Sequence, residues 1–247
     1  MKKRQELRKN KQKLNRKRKL ILWLSFMVIL VSLVLLFNES LTSFVLKSHH
    51  APNISQTTKA DIKKHHNESE DSEFDFEKSS KADIKSALKS TFKDEKVPVL
   101  GGITIPDLNI NLPILRGVSD YAILMGAGTM KKDQEMGKGN YSLTSHHMLN
   151  QEVLFGPIIH AKIDMPIYLT DLENVYEYRV TNMAYIQATD VHVIEDNDNK
   201  AELTLITCDE TGEGRFMLKA SFFKQIPVEL TEKKIMNFFY QKQNLYE

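Results

Sequence analysis

One apolar segment near the N-terminus constrains this chain more than any other feature. From Leu20 to Phe37 the sequence LILWLSFMVILVSLVLLF carries no charge, and only Ser25 and Ser32 interrupt it. As an α-helix rising about 1.5 Å per residue, the segment spans roughly 27 Å, close to a hydrocarbon core about 30 Å thick. A helix also satisfies its own backbone polar groups inside lipid. Residues 20–37 therefore predict a transmembrane anchor in the lipid bilayer.

The flanks of this segment predict its orientation. Residues 1–19 are rich in Lys and Arg, opposed by Glu6 alone, so the positive-inside rule keeps them in the cytoplasm. The rest of the chain then lies outside, which predicts a single-pass protein of the cell membrane. A cleaved signal peptide is the alternative, but NESL at 38–41 lacks an A-x-A-like cleavage site. A basic run can also bind nucleic acid. The adjoining anchor explains it better, so no nucleic-acid partner is predicted.

Residues 38–96 are predicted to form a polar extracytoplasmic linker. The stretch HHNESEDSEFDFEKSSK, from His65 to Lys81, has too few large apolar residues to build a core. Near the end of the linker, apolar residues spaced by four predict a short amphipathic helix over 81–92. The folded domain is expected to occupy residues 97–247, including a C-terminal tail.

The folded domain is predicted to be mostly β. Alternating or continuous apolar runs predict about seven or eight short strands, among them 99–105, 108–114, 141–145, 165–169, 176–186, 202–207 and 215–220. Helical segments are expected at 119–125, 154–159 and 231–240. Many short strands with little helix are typical of a closed barrel or a sandwich.

Cys208 is the only cysteine, so it has no partner for an intrachain disulfide. In an exported chain a single Cys indicates an intermolecular bond or a reactive thiol, although a small buried residue is the commoner role in general. Cys208 directly follows the apolar strand 202–207, where a rigid sheet presents side chains to a cleft. The next strand opens with Arg215, which faces the same site if the two strands are antiparallel neighbours. An Arg there can stabilise an oxyanion; a solvated charge at a strand edge is the alternative.

A cysteine nucleophile usually needs a histidine. His146 and His147 follow the predicted strand 141–145 and are the only histidines placed like Cys208, at a strand exit inside the β region. The other histidines lie in the polar linker or stand alone, and are expected to be solvated or structural: His49, His50, His65, His66, His160 and His192.

These motifs together resemble the sortase family, and most closely the class A, housekeeping sortases of Gram-positive bacteria. The resemblance rests on Leu203-Thr-Leu-Ile-Thr-Cys208, on Arg215 after it, and on Gly139-Asn-Tyr-Ser-Leu-Thr-Ser-His146-His147 before it. It covers roughly residues 97–228, and the predicted anchor and linker fit the same class. It implies a closed eight-stranded sortase-type β-barrel with short helices.

The resemblance also implies a reaction. Cys208 is expected to attack the Thr carbonyl of a Leu-Pro-X-Thr-Gly type sorting signal, cleaving between Thr and Gly through a thioacyl-enzyme. His146 protonates the departing amine and deprotonates the incoming one, while Arg215 stabilises the substrate carbonyl. The implied acceptor is an amine of a peptidoglycan precursor, so that surface proteins become attached to the cell wall.

Three further residues receive roles from the same resemblance. Thr207 and Thr144 match positions that line the substrate groove. His147 is expected to support the catalytic residues or to be structural.

No metal or cofactor is predicted. Some class A sortases bind calcium through an acidic loop before the histidine strand, which corresponds here to residues 129–136. That loop has Lys131 and Lys132 beside only Asp133 and Glu135, and a hard divalent cation needs several oxygen ligands. The sequence therefore predicts no calcium requirement.

Two other functions fit the same residues. A membrane-anchored cysteine peptidase that transfers its acyl group to water shares the acyl-enzyme. A non-catalytic, surface-tethered binding module would instead keep Cys208 as a structural residue.

Overall fold

A computed structural model describes residues 2–36, 52–67, 74, 97–146, 152–197, 200–209 and 214–245. The chain divides into two units, Met1–Phe44 and Val45–Glu247. The helix predicted over 81–92 lies outside the described residues, as does His147.

The first unit contains one long helix, α1, from Lys2 to Leu36. Its large apolar side chains between Leu20 and Leu33 are exposed. Within the ranges that the structure describes, no helix is both long and apolar enough to cross a membrane.

Eight strands of the second unit close into a barrel, in the order β1-β2-β3-β4-β7-β8-β6-β5. The strands are β1 Val99–Ile105, β2 Ile110–Leu115, β3 Ala127–Thr129, β4 Asn140–Thr144, β5 Pro166–Thr170, β6 Asn174–Gln187, β7 Glu202–Cys208 and β8 Gly214–Pro227. The predicted closed eight-stranded barrel is therefore confirmed.

Two parallel pairs interrupt an otherwise antiparallel barrel. β2 runs parallel to β3, and β4 runs parallel to β7 with Thr144 level with Ile206. Because parallel strands point the same way, the carboxyl ends of β4 and β7 meet at one end of the barrel.

Large aliphatic and aromatic side chains fill the barrel. Ile103, Leu112, Leu143, Leu205 and Leu218 belong to one core cluster and are fully buried. Each such side chain contributes about 1.5–3 kcal/mol when it is removed from water. Burial of this interior face fixes the strand register, since a slip of one residue would turn these side chains outward.

Short helical segments connect the strands. Helix α3, Asp120–Met125, begins at Ser119, whose hydroxyl caps it by accepting the Ala122 N–H. A 3-10 helix spans Gly156–His160, within a connection whose Phe155 and Ile158 are buried in the barrel core. Helix α4, Lys233–Phe239, follows β8.

Part of the predicted linker packs on the barrel. Residues 52–67 contain helix α2, Lys59–Asn67, and both Ile54 and Ile62 are buried in a second core cluster. His65 Nδ1 forms a hydrogen bond with the Val99 carbonyl oxygen at 3.0 Å, and Arg116 Nη2 donates to the His65 carbonyl oxygen at 2.6 Å. The expectation that His65 is solvated is wrong, because the side chain is half-buried in this contact.

Candidate active site

Cys208 and Arg215 face each other across two neighbouring strands. β7 ends at Cys208, β8 begins at Gly214, and Cys208 pairs with Arg215 in the antiparallel ladder. Cβ atoms of residues directly opposite in such a pair lie about 4.5–5.5 Å apart. The connection is closed by Asp209 N–H donating to the Gly214 carbonyl oxygen at 3.1 Å, and by Gly214 N–H donating to Asp209 Oδ2 at 3.1 Å.

His146 lies at the corresponding end of β4. It comes two residues after Thr144 and Cys208 comes two residues after Ile206, and Thr144 and Ile206 are level in the parallel pair. Adjacent strands are about 4.8 Å apart, so the two chain segments emerge side by side. The backbone N–H of His146 donates to the Ile123 carbonyl oxygen of α3 at 3.2 Å, which holds the strand end in place.

Hydrogen bonds from side-chain hydroxyl groups join the ends of β4 and β7. Thr144 Oγ1 donates to the Ile206 carbonyl oxygen at 3.0 Å, and Thr207 Oγ1 donates to the Ser145 carbonyl oxygen at 2.9 Å. Ser145 Oγ in turn donates to the Gly126 carbonyl oxygen at 2.6 Å. Both threonines are buried. Their hydroxyl groups therefore bind backbone carbonyl oxygens close to Cys208 and His146 in the sequence.

Burial and charge determine the protonation of the site. His146 is 5% exposed, and burial, aided by the charge of Arg215, lowers its pKa to about 4. Burial raises the pKa of the Cys208 thiol; Arg215 opposes this effect and Asp209 adds to it. The neutral thiol and neutral imidazole are therefore favoured at neutral pH, and the thiolate–imidazolium pair is the minor form.

The His146 ring keeps one nitrogen unengaged. Nε2 is buried and has no hydrogen-bond partner among the described residues. Such an atom costs stability, and an uncompensated polar atom of this kind is often explained by a catalytic role.

An apolar groove lies beside Arg215. It has a volume of about 250 Å³. The 3-10 turn Val191–Ile194 forms one wall of the groove, and the end of β6, Ile206, Arg215 and Phe74 also line it. Pockets that hold peptides or small molecules have this composition, with few polar groups among apolar ones. Sequence reasoning missed this wall, although the apolar run VHVI at 191–194 is a signal for it.

Two histidines that the sequence did not assign to the site are exposed. His160 and His192 are exposed, as their isolation in the sequence predicted. Among the described residues, no group of three or more His, Cys, Asp and Glu side chains is arranged to hold a metal ion. In the loop considered for calcium, Lys131 Nζ forms an ion pair with Asp196 Oδ1 at 2.5 Å.

The chain is similar in sequence to known proteins. The Sortase domain family matches residues 103–222. Sortase A of Listeria monocytogenes is 41% identical over 192 residues, covering 77% of this chain and 85% of that protein. Sortase A of Streptococcus agalactiae is 35% identical over 244 residues, covering 96% of this chain and 98% of that protein.

The chain belongs to the sortase family.

A solved structure agrees with this sortase assignment. The crystal structure of Listeria monocytogenes sortase A matches with a TM-score of 0.54 and 43% sequence identity, covering 58% of this chain and 99% of that one. The resemblance inferred from the motifs is thereby confirmed. This sortase is a cysteine transpeptidase that anchors surface proteins. Family membership implies substrates with sorting signals and a peptidoglycan-precursor acceptor.

Proposed function

We propose that this sortase cleaves a Leu-Pro-X-Thr-Gly type sorting signal between Thr and Gly, with Cys208, His146 and Arg215 as its catalytic residues. One observation carries the proposal. The ends of β4 and β7 place Cys208 and His146 on adjacent chain segments, with Arg215 opposite Cys208 and an apolar groove beside it. The Leu and Pro side chains of such a peptide suit an apolar groove that leads to a polar reaction centre.

Acylation begins with proton transfer from the Cys208 thiol to the His146 imidazole. The thiolate sulfur attacks the Thr carbonyl carbon, and the Arg215 guanidinium donates hydrogen bonds to the developing oxyanion. The carbon–nitrogen bond then breaks as His146 returns its proton to the departing Gly amine. The products of this step are a thioacyl-enzyme on Cys208 and a free C-terminal fragment.

Transfer reverses these roles. Neutral His146 accepts a proton from the incoming amine, whose nitrogen attacks the thioester carbon. The new amide forms as the Cys208 sulfur leaves, and the proton held by His146 restores the neutral pair. Water can replace the amine, in which case the enzyme acts as a peptidase. The partition between the two depends on amine binding beside the thioester.

Three residues support this site in the proposal. Thr207 and Thr144 are proposed at the substrate groove, where their buried hydroxyl groups also fix the backbone beside the peptide. His147, next to His146 in the sequence, is proposed to have a supporting role only.

Mass spectrometry of the full chain with a Leu-Pro-X-Thr-Gly peptide, with and without a glycine-type amine, tests the proposal. We expect cleavage after Thr, joining of the fragment to the amine, and loss of both in Cys208→Ala. His146→Ala and Arg215→Ala should lower kcat/KM by orders of magnitude, whereas His147→Ala should have a far smaller effect. Hydrolysis alone at saturating amine would support the peptidase function instead. Binding of the peptide by the unaltered chain without any cleavage would support a non-catalytic binding module.

We also propose that residues 20–37 anchor this sortase in the cell membrane, with the N-terminus cytoplasmic and the catalytic domain outside. The support comes from the uncharged apolar sequence and its basic flank. After cell fractionation and an alkaline wash, the full chain should stay with the membranes. A variant with Leu24→Lys and Leu30→Lys should be released, because charges within the bilayer are costly. Recovery of the unaltered chain in the soluble fraction would contradict the anchor.

A further inference from the structure

Asn140, the first residue of β4, is a buried amide whose hydrogen-bonding groups all have partners. It is 1% exposed. Its Nδ2 donates to the carbonyl oxygens of Val193 at 3.0 Å and Glu195 at 3.2 Å, and its Oδ1 accepts from Thr204 Oγ1 at 2.7 Å. A buried, fully satisfied amide of this kind fixes the groups that it bonds, since breaking any contact leaves an unpaired polar atom.

One of the two carbonyl groups that Asn140 bonds, that of Val193, belongs to the wall of the groove, and the other belongs to Glu195, which directly follows this turn. The 3-10 turn Val191–Ile194 contributes Val191, Val193 and Ile194 to the groove lining. Carbonyl groups at the end of a helical turn lack donors within the turn. Asn140 supplies donors to two carbonyl groups of this segment.

Asp196, which directly follows Glu195 in the sequence, bonds the backbone of Asn140. Its Oδ1 accepts the backbone N–H of Asn140 at 2.7 Å and also binds Lys131 Nζ at 2.5 Å. Both contacts lower the pKa of the Asp196 carboxyl group, with that of Lys131 first, so the carboxylate is ionised at neutral pH. The neighbouring Gly139 has φ +50, and a Cβ there would lie 2.7 Å from Asp196 Oδ1. The lack of a side chain at Gly139 therefore leaves room for the Asp196 carboxylate.

Asn140 is far from the reacting atoms along its strand. His146 comes six positions later in the sequence, which corresponds to roughly 20 Å of extended chain. Its hydrogen bonds to Val193 and Glu195 therefore lie at the end of β4 that is distant from His146. We therefore expect Asp196, which bonds Asn140 and Lys131 and lies next to the groove wall, to affect the reaction through the shape of the groove.

We propose that Asn140 and Asp196 are positioning residues that hold the Val191–Ile194 wall in place and so determine how tightly the sorting peptide binds. The proposal rests on the proposed function, since it takes the groove to be the peptide site. Neither residue touches the thioester. Their loss should raise KM and leave kcat nearly unchanged at saturating peptide.

Asp196 carries the test because its side chain is 68% exposed, whereas truncation of buried Asn140 endangers folding. In the full chain, Asp196→Ala should raise KM for the peptide roughly tenfold, as expected for the loss of charge-assisted hydrogen bonds. Asp196→Asn keeps an acceptor for the Asn140 N–H and should raise KM less. Lys138→Met is the matched control: it removes a surface ion pair with Glu135, also 2.5 Å long, from the same β3–β4 connection. It should leave KM unchanged.

Hydrogen exchange gives a second readout that does not depend on peptide cleavage. Asp196→Ala should speed amide exchange over residues 191–195, with no comparable change in Lys138→Met. An unchanged KM together with unchanged exchange would overturn the proposal, as would a fall in kcat at constant KM. If the unaltered chain does not cleave the peptide at all, the proposed function fails. In that case, faster amide exchange over 191–195 in Asp196→Ala would still support the positioning role, and unchanged exchange would refute it.

Discussion

The Thr207 hydroxyl group donates a hydrogen bond of 2.9 Å to the carbonyl oxygen of Ser145, across the parallel strands β7 and β4. Thr207 directly precedes Cys208, and Ser145 directly precedes His146. One buried hydrogen bond thus joins the residues next to the two groups that exchange a proton in the proposed reaction. The backbone segments that carry Cys208 and His146 are thus held in a fixed position relative to each other.

Replacing Thr207 with Val should therefore affect catalysis more than binding. Val keeps the β-branched shape but removes the donor, leaving the Ser145 carbonyl oxygen without this hydrogen bond. We expect a loss of about 1–2 kcal/mol in the free energy of unfolding and a fall in kcat with little change in KM. Urea denaturation and steady-state kinetics with the sorting peptide measure the two effects.

Two variants control this prediction. Thr207→Ser keeps the donor and should retain most of the activity. Thr104→Val, in β1, removes a similar buried hydrogen bond of 2.9 Å to the Ile110 carbonyl oxygen, away from the site. It should cost similar stability without lowering kcat. Equal kcat losses in Thr104→Val and Thr207→Val would show that general destabilisation is responsible.

Burial of His146 predicts that acid destabilises the fold. The pKa of His146 falls to about 4 in the folded chain from its ordinary value of 6.5. As the pH decreases, the unfolded chain takes up this proton first. The contribution of His146 is thus fully present above about 6.5 and is lost as the pH falls to about 4. At about 1.4 kcal/mol per pH unit, the loss is on the order of 3 kcal/mol.

His146→Gln isolates this effect. Urea denaturation between pH 7 and pH 4 should show a steeper loss of stability in the unaltered chain than in His146→Gln, because all other titrating groups are shared. His160→Gln, which alters an exposed histidine, should follow the unaltered chain. Parallel stability curves for the unaltered chain and His146→Gln would contradict the predicted pKa.

Most of the barrel could be predicted because its strands carry continuous or alternating apolar runs that are visible in the sequence. The strands at 99–105 and 202–207 in particular match β1 and β7 closely. β3 was missed because Ala127–Thr129 is short and has no apolar alternation. Packing of residues 52–67 could not be predicted either, since Ile54 and Ile62 are isolated apolar residues in a polar stretch, and their burial depends on contacts distant in sequence.

The residues at strand ends were predictable, whereas the groove was not. Cys208 and His146 come at the ends of predicted strands, and this position is visible in the sequence. The wall at Val191–Ile194 depends on hydrogen bonds from Asn140, about fifty residues earlier, and such long-range pairing leaves no local pattern. Asn140 itself looks like an ordinary first residue of a strand.

The ion pair between Lys131 and Asp196 supports the prediction that calcium is not required. The Lys131 ammonium already lies against the carboxylate that joins this loop to the groove wall, so a divalent cation would have to displace it. We expect equal kcat/KM in excess chelator and in added calcium. Strong activation by calcium over chelator would contradict this prediction.

The charges around Cys208 predict opposite shifts in its reactivity. Arg215 lowers the pKa of the thiol, and Asp209 raises it. Since alkylation requires the thiolate, Arg215→Gln should move the midpoint of the pH–rate profile to higher pH, and Asp209→Asn should move it to lower pH. Iodoacetamide labelling followed by mass spectrometry measures both shifts, and Cys208 is the only cysteine to be labelled. The absence of a shift in both variants would show that burial alone sets the pKa. A midpoint that falls in Arg215→Gln would refute the role of Arg215 in favouring the thiolate.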